Sequence, residues 1–170
     1  MVEESISPEV ADQMIEGCDL PSGGAYTAVG TYDHQEIVAL VSKLSELTST
    51  PVPALITAFG EYLFGRFYAL YPQFFEGIDG AMDFLSRIED VIHVEVRKLY
   101  PQAQLPTFDI ERPSPDQLIM VYRSERHLGD LAEGLIRQCI VHYGESIDLS
   151  REDLDEPDQP VRFVLTRSDA

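Results

Sequence analysis

Two small groups of side chains in this chain have the types and spacing to do chemistry. The first is a solitary histidine, His93, in the stretch H-V-E-V-R-K-L-Y-P (His93 to Pro101), set among apolar residues at helical spacing. A neutral imidazole ligates a metal through either ring nitrogen. No second histidine stands three or four residues away, so the pattern does not suit zinc, which needs several protein ligands. A macrocycle that brings four nitrogens of its own asks for one protein ligand, and a lone histidine is compatible with that. A histidine flanking the apolar stripe of a helix is also a common structural residue, and the residues alone leave both readings open.

The second group is Y-R-S-E-R (Tyr122 to Arg126). Its Tyr122, Ser124 and Arg126 alternate, and strand spacing predicts that all three project from one face. A phenol, an alcohol and a guanidinium then converge as donors for an anion, and a pair of carboxylates is such a ligand. A polar solvent face on an edge strand would carry the same residues. What lifts Arg126 is its setting: the chain has thirty acidic against twelve basic residues, a net charge of −18. A third pair, Cys139 and His142, has helical spacing and is half of a metal site. With Cys18 the only other thiol, no complete ligand set forms, and a buried cysteine beside a surface histidine is the better account. No nucleophile elbow, phosphate-binding loop or dinucleotide fingerprint is present.

Composition bounds the rest. The length of 170 residues with 44% apolar content suits one domain, 1–170, with a sizeable core. The negative charge disfavours nucleic acid and anionic membranes as partners. Two cysteines make no disulfide framework, and no apolar run reaches membrane-spanning length, so a cytoplasmic protein is expected.

The elements that must position these groups read as follows. Ser7-Pro8 opens a short helix that Gly17 stops. Residues 19–30 form a turn-rich loop. Helix 31–47 is capped by Asp33, with Glu36 three residues later in a capping-box arrangement. Helix 54–71 is apolar nearly all round, and Gly60 and Gly65 within it suggest a close backbone approach. Residues 72–80 are a loop anchored by Phe74 and Phe75. The histidine helix spans 81–100, with a break near Glu89-Asp90. From Leu105 the pattern alternates. Strands 106–112 and 118–124 flank a turn, helix 126–143 ends at Gly144, and strands 146–152 and 161–166 close the chain. The fold class is α+β: a mostly helical N-terminal subdomain, about 1–80, and a C-terminal subdomain, about 81–170, with a four-stranded antiparallel sheet and a packed helix.

The histidine helix, the Y-R-S-E-R signature and the stretches GAYTAVGTY, FGEYLF, YPQFF and VRFVLT resemble the H-NOX family, the haem nitric oxide/oxygen-binding domains related to the sensor part of soluble guanylate cyclase. The resemblance covers nearly the whole chain. It implies haem b between the two halves, His93 as the proximal iron ligand, and propionates gripped by Tyr122, Ser124 and Arg126. Pro106 matches the family proline that presses on the porphyrin. Members usually open with a longer segment of the M-K-G-I type, and this chain begins after it. Oxygen-binding members carry a distal tyrosine five residues beyond the motif arginine; that position here is Leu131, which favours nitric oxide over stable O2. The implied function is a nitric oxide sensor, not an enzyme, regulating a histidine kinase or a diguanylate cyclase/phosphodiesterase. A peroxidase-like haem enzyme and a haem-free interaction domain are the alternatives.

Overall fold

The computed structural model describes residues 1–27 and 30–168; Ala28 and Val29 of the GAYTAVGTY stretch lie outside the described residues. The chain divides into two compact units, Met1–Phe59 and Gly60–Ala170. The division falls inside a helix rather than near residue 80. The reason is that residues 60–80 build the second unit's core: Phe64 and Phe75 are buried there and pack against Phe84.

The first unit is helical. It holds α1 (Val2–Ser5), α2 (Pro8–Glu16), α3 (His34–Thr48) and the start of α4 (Val52–Leu70). Ser7 caps α2 by accepting the Val10 N–H, as the Ser-Pro start predicts. Asp33 caps α3 through the Gln35 N–H. Glu36 does not close a capping box. Its carboxylate turns inward, is 6% exposed, and accepts from the Ser22 and Tyr26 hydroxyls, so it fastens the 20–27 loop to α3. Two hydroxyl donors make this burial of a carboxylate affordable where one backbone bond would not.

In the second unit α4 runs on to Leu70 and is followed by α5 (Ala81–Leu85), a π-turn (Ile88–Ile92) and α6 (His93–Leu99). The helix expected over 81–100 is therefore three pieces, and the break expected near Glu89-Asp90 falls in the π-turn. A four-stranded antiparallel sheet follows, β1 (Thr107–Ser114), β2 (Gln117–Arg123), β3 (Ile147–Asp153) and β4 (Val161–Arg167), in the order β1-β2-β4-β3. Helix α7 (Gly129–Tyr143) lies between β2 and β3 in the chain and ends at Gly144, which takes the left-handed conformation at φ 65°. Alternate residues of the two inner strands are buried: Leu118, Met120 and Tyr122 on β2, Val161, Phe163 and Leu165 on β4. They share one core with Ala81, Met82 and Leu85 of α5 and Ile136 and Cys139 of α7. Among the described residues no helix is long and apolar enough to cross a membrane.

The two glycines of α4 separate sharply. A Cβ on Gly60 would stand 2.4 Å from the Leu131 carbonyl oxygen and 3.0 Å from the Gly134 Cα, so here α4 and α7 meet backbone to backbone. A Cβ on Gly65 would meet nothing within 4 Å. The close approach suggested by sequence exists at the first and not at the second. Chemical denaturation should separate them by sign: Gly60→Ala is expected to destabilise by about 1–3 kcal/mol through overpacking against rigid backbone. Gly65→Ala is expected to stabilise by about 0.5–1 kcal/mol through helix propensity.

Candidate functional site

The second unit encloses a cavity of about 450 Å³, a size that suits a compact organic ligand. Its walls are mostly apolar: Leu63, Phe67 and Leu70 from α4, Ile92 and Val96 from the π-turn and α6, and Leu131 and Leu135 from α7. His93, Pro106, Tyr122, Ser124 and Arg126, the five residues singled out by sequence, all line it. The lining comes from both sides of residue 80, from 63–71 and from 84–136, so the cavity lies where the site between the two halves was expected. All lining residues belong to the second unit, because α4 beyond Leu63 is already part of that unit.

His93 begins α6 and is 9% exposed. Its main-chain N–H reaches back five residues to the Ile88 carbonyl, the bond that defines the preceding π-turn. Its Nδ1 lies 2.9 Å from Glu89 Oε1. Donation of Nδ1–H to that carboxylate sets the tautomer and leaves Nε2 with its lone pair. Among the described residues Nε2 has no hydrogen-bond partner, and His93 lines the cavity. Burial holds the imidazole below its ordinary pKa; the Glu89 carboxylate opposes this, and the nearby Arg97 charge reinforces it. The neutral ring, the form that ligates metals, is thereby favoured at neutral pH.

Glu89 is the functional residue that sequence reasoning passed over. The same Oε1 accepts the Phe108 N–H at 2.9 Å, at the head of β1. One oxygen thus joins the histidine segment to the sheet. Its sequence signal was available, since Glu89 and His93 stand four apart on a helical face.

The donor group is placed differently from its prediction. Tyr122 sits on β2, a central strand paired to β1 at Phe108 and to β4 at Val161, and is 4% exposed. Its hydroxyl oxygen accepts the Leu128 N–H at 3.2 Å, which leaves the phenol hydrogen to donate. The strand ends at Arg123, so Ser124 and Arg126 are not on it. They occupy a turn that Ser124 organises: its Oγ accepts the Arg126 N–H at 3.2 Å, its carbonyl accepts the His127 N–H, and His127 adopts φ 49°. The turn, not strand alternation, brings Ser124 and Arg126 to the cavity that Tyr122 lines from the strand. There the Arg126 guanidinium donates to Gln104 Oε1 at 3.0 Å.

Cys139 is fully buried and contacts the Ala81 carbonyl, and burial pushes its thiol pKa well up. His142 is exposed and lies among the rings of Phe64, Tyr68 and Phe75. No group of three metal-ligating side chains occurs among the described residues.

The donor set fits a flat apolar macrocycle with acidic substituents: one neutral imidazole with a free nitrogen, apolar walls, and hydroxyl and guanidinium donors gathered at one end. Comparison with known proteins agrees. A family model described as haem-NO-binding matches residues 1–151. No curated protein was found to match. Among solved structures, the Fe(II) unliganded H-NOX protein from K. algicida is 32% identical, with 99% of this chain and 91% of that chain covered and a TM-score of 0.91. The H-NOX from Shewanella woodyi, solved bound to IWP-051 in the Fe(II)CO state, is 39% identical, with 98% and 88% covered and a TM-score of 0.84. An S. oneidensis H-NOX protein in the Fe(II)NO state shares the fold at 24% identity, with 99% and 94% covered and a TM-score of 0.88. By the extent of the family match and of these likenesses, the chain belongs to the haem-NO-binding family, the H-NOX domains, with the haem-binding, gas-sensor fold of that family.

Proposed function

We propose that this protein binds haem b through His93 and senses nitric oxide, passing the signal to a histidine kinase or to a diguanylate cyclase/phosphodiesterase in the cytoplasm. The observation that carries the reading is the His93 imidazole, buried at an apolar cavity, oriented by Glu89 and free at Nε2. When bound, haem supplies a ferrous iron with an open position for a diatomic gas. His93 would hold the iron, Tyr122, Ser124 and Arg126 would hold the carboxylates, and Pro106 would pack on the ring. The apolar Leu131 at the cavity offers no hydrogen bond to a partly anionic O2, a lack that nitric oxide tolerates. Because His93 would be the chain's hold on the iron, a gas that loosens that hold would free α6 to shift, and a partner that binds the two positions of α6 unequally would read the change. The net charge of −18 favours a protein partner over nucleic acid or an anionic membrane. A peroxidase-like reading calls for a distal histidine and arginine pair; among the described residues His93 is the one histidine lining the cavity.

Substitution of His93 by Gly should abolish haem retention after gel filtration unless imidazole is supplied, as read from Soret absorbance. Full retention without imidazole overturns the ligand assignment. Glu89→Ala should weaken haem binding by about 10- to 100-fold and lower the Fe–His stretching frequency, because it removes the group that orients and activates the imidazole. Glu89→Gln, whose carbonyl oxygen can accept both bonds but carries no charge, should fall between wild type and Glu89→Ala. The Leu131→Tyr variant is expected to form a stable O2 complex in air-equilibrated buffer; an absorption spectrum identical to that of the parent under air would show that this position does not face the iron.

A further inference from the structure

A second hollow, about 850 Å³ and more polar, adjoins the cavity just described. The two share Gln104, Leu105, Ser124 and Arg126, so the outer hollow is a vestibule at the donor end of the inner one. Arg97, Arg123 and His127 also border the vestibule. Three arginines, Arg97, Arg123 and Arg126, thus stand against two carboxylates there, in a chain with a net charge of −18.

The arginines there are not equivalent. Eight of the twelve Lys and Arg side chains lie within ion-pair distance of a carboxylate, and Arg66, Arg87, Arg97 and Arg126 do not, among the described residues. Arg123 is saturated by Asp109, Glu156 and Asp158. Of the four cations without a carboxylate, Arg97 and Arg126 meet at the vestibule. Arg66 borders the inner cavity but not the vestibule, and Arg87 borders neither. Two acidic side chains line the vestibule: Asp158 is held by Arg123, and Glu125 has no ion pair among the described residues.

Arg97 also has a fixed relation to His93. It follows it by four residues within α6, so both side chains leave the same helical face one turn apart. The two are near enough for the Arg97 charge to disfavour protonation of His93.

We propose that Arg97 is a second carboxylate-binding residue, which takes one acidic substituent of the macrocycle while Arg126, with Tyr122 and Ser124, takes the other. The assignment rests on the haem-binding reading above and deepens it. A ligand with two carboxylates presents two negative charges at one end, and a strongly acidic protein must meet both with cations not already neutralised. Arg97 and Arg126 are the two such cations at that end. One helix then holds the ligand at two points, the metal through His93 and the rim through Arg97.

The test is the rate at which the loaded full chain surrenders its ligand to excess apomyoglobin, measured with protohaem and with protohaem dimethyl ester, whose acidic groups are capped. With protohaem, Arg97→Gln should release roughly three- to fivefold faster than wild type, the range for an exposed ion pair. Arg97→Lys, which keeps the charge, should fall between. With the dimethyl ester, wild type and Arg97→Gln should release at the same rate. Equal rates for wild type and Arg97→Gln with protohaem, or the same acceleration with the ester, overturn the assignment while leaving the haem reading intact. Failure of the wild-type chain to take up protohaem at all sinks both.

Discussion

One carboxylate oxygen holds the site together. Glu89 Oε1 accepts the His93 Nδ1–H and the Phe108 N–H, both at 2.9 Å. Each donor is partly or fully withdrawn from water, and each would be left unpaired without it. The histidine segment has little order of its own to fall back on. Helix α6 is seven residues long, its N-terminus has no side-chain cap, and a π-turn interrupts the path from α5. Isolated helices of that length do not persist in water. What fixes the imidazole is therefore a tertiary bond to the head of β1, and the direction in which Nε2 faces follows from it.

The donor side of the ligand site has a different mechanical character. Tyr122 stands on the inner strand β2, bonded on both edges, with its side chain in the core. The turn that carries Ser124 and Arg126 is pinned by the Ser124 side chain and by the Tyr122 hydroxyl, which receives the Leu128 N–H. One donor is thus set on the sheet and two on a turn pinned at the strand's end, and the imidazole on a short helix. Local stability is unequal across a fold, and moving elements come from its weaker end. A change that begins at the imidazole would therefore be taken up first by α6, and would reach the sheet through the Glu89 bond to Phe108.

How much of this the sequence carried depends on whether the determining interaction was local. Caps at Ser7 and Asp33 and the stop at Gly144 rest on bonds a few residues long, and they appear where the pattern placed them. The alternation of β2 and β4 was equally legible, since burial of one sheet face writes itself with period two. The π-turn was only hinted at, because no proline or glycine marks it. Glu36 was misread for a similar reason: its spacing from Asp33 fits a capping box, but its partners, Ser22 and Tyr26, lie in a distant loop. Ser124 and Arg126 reached the cavity by a route other than the one expected, a turn in place of a longer strand. Gly60 and Gly65 look alike in sequence, and only the approach of the Leu131 carbonyl tells them apart.

The acidity of the chain finally bears on the choice of Gln104 as the partner of Arg126. Most cations on this surface are consumed by fixed carboxylates; Arg151, for one, meets Asp130, Glu133 and Asp153. Such exposed pairs contribute little stability each, about 0–1 kcal/mol. They nonetheless decide which charges remain available. Had position 104 carried a glutamate, an incoming carboxylate would have had to displace a covalently tethered rival of the same charge, with repulsion added. A neutral amide oxygen orients the guanidinium without cancelling it. Arg126 is so held in place while keeping its charge unspent, which is what recognition of an anion by a strongly anionic protein requires.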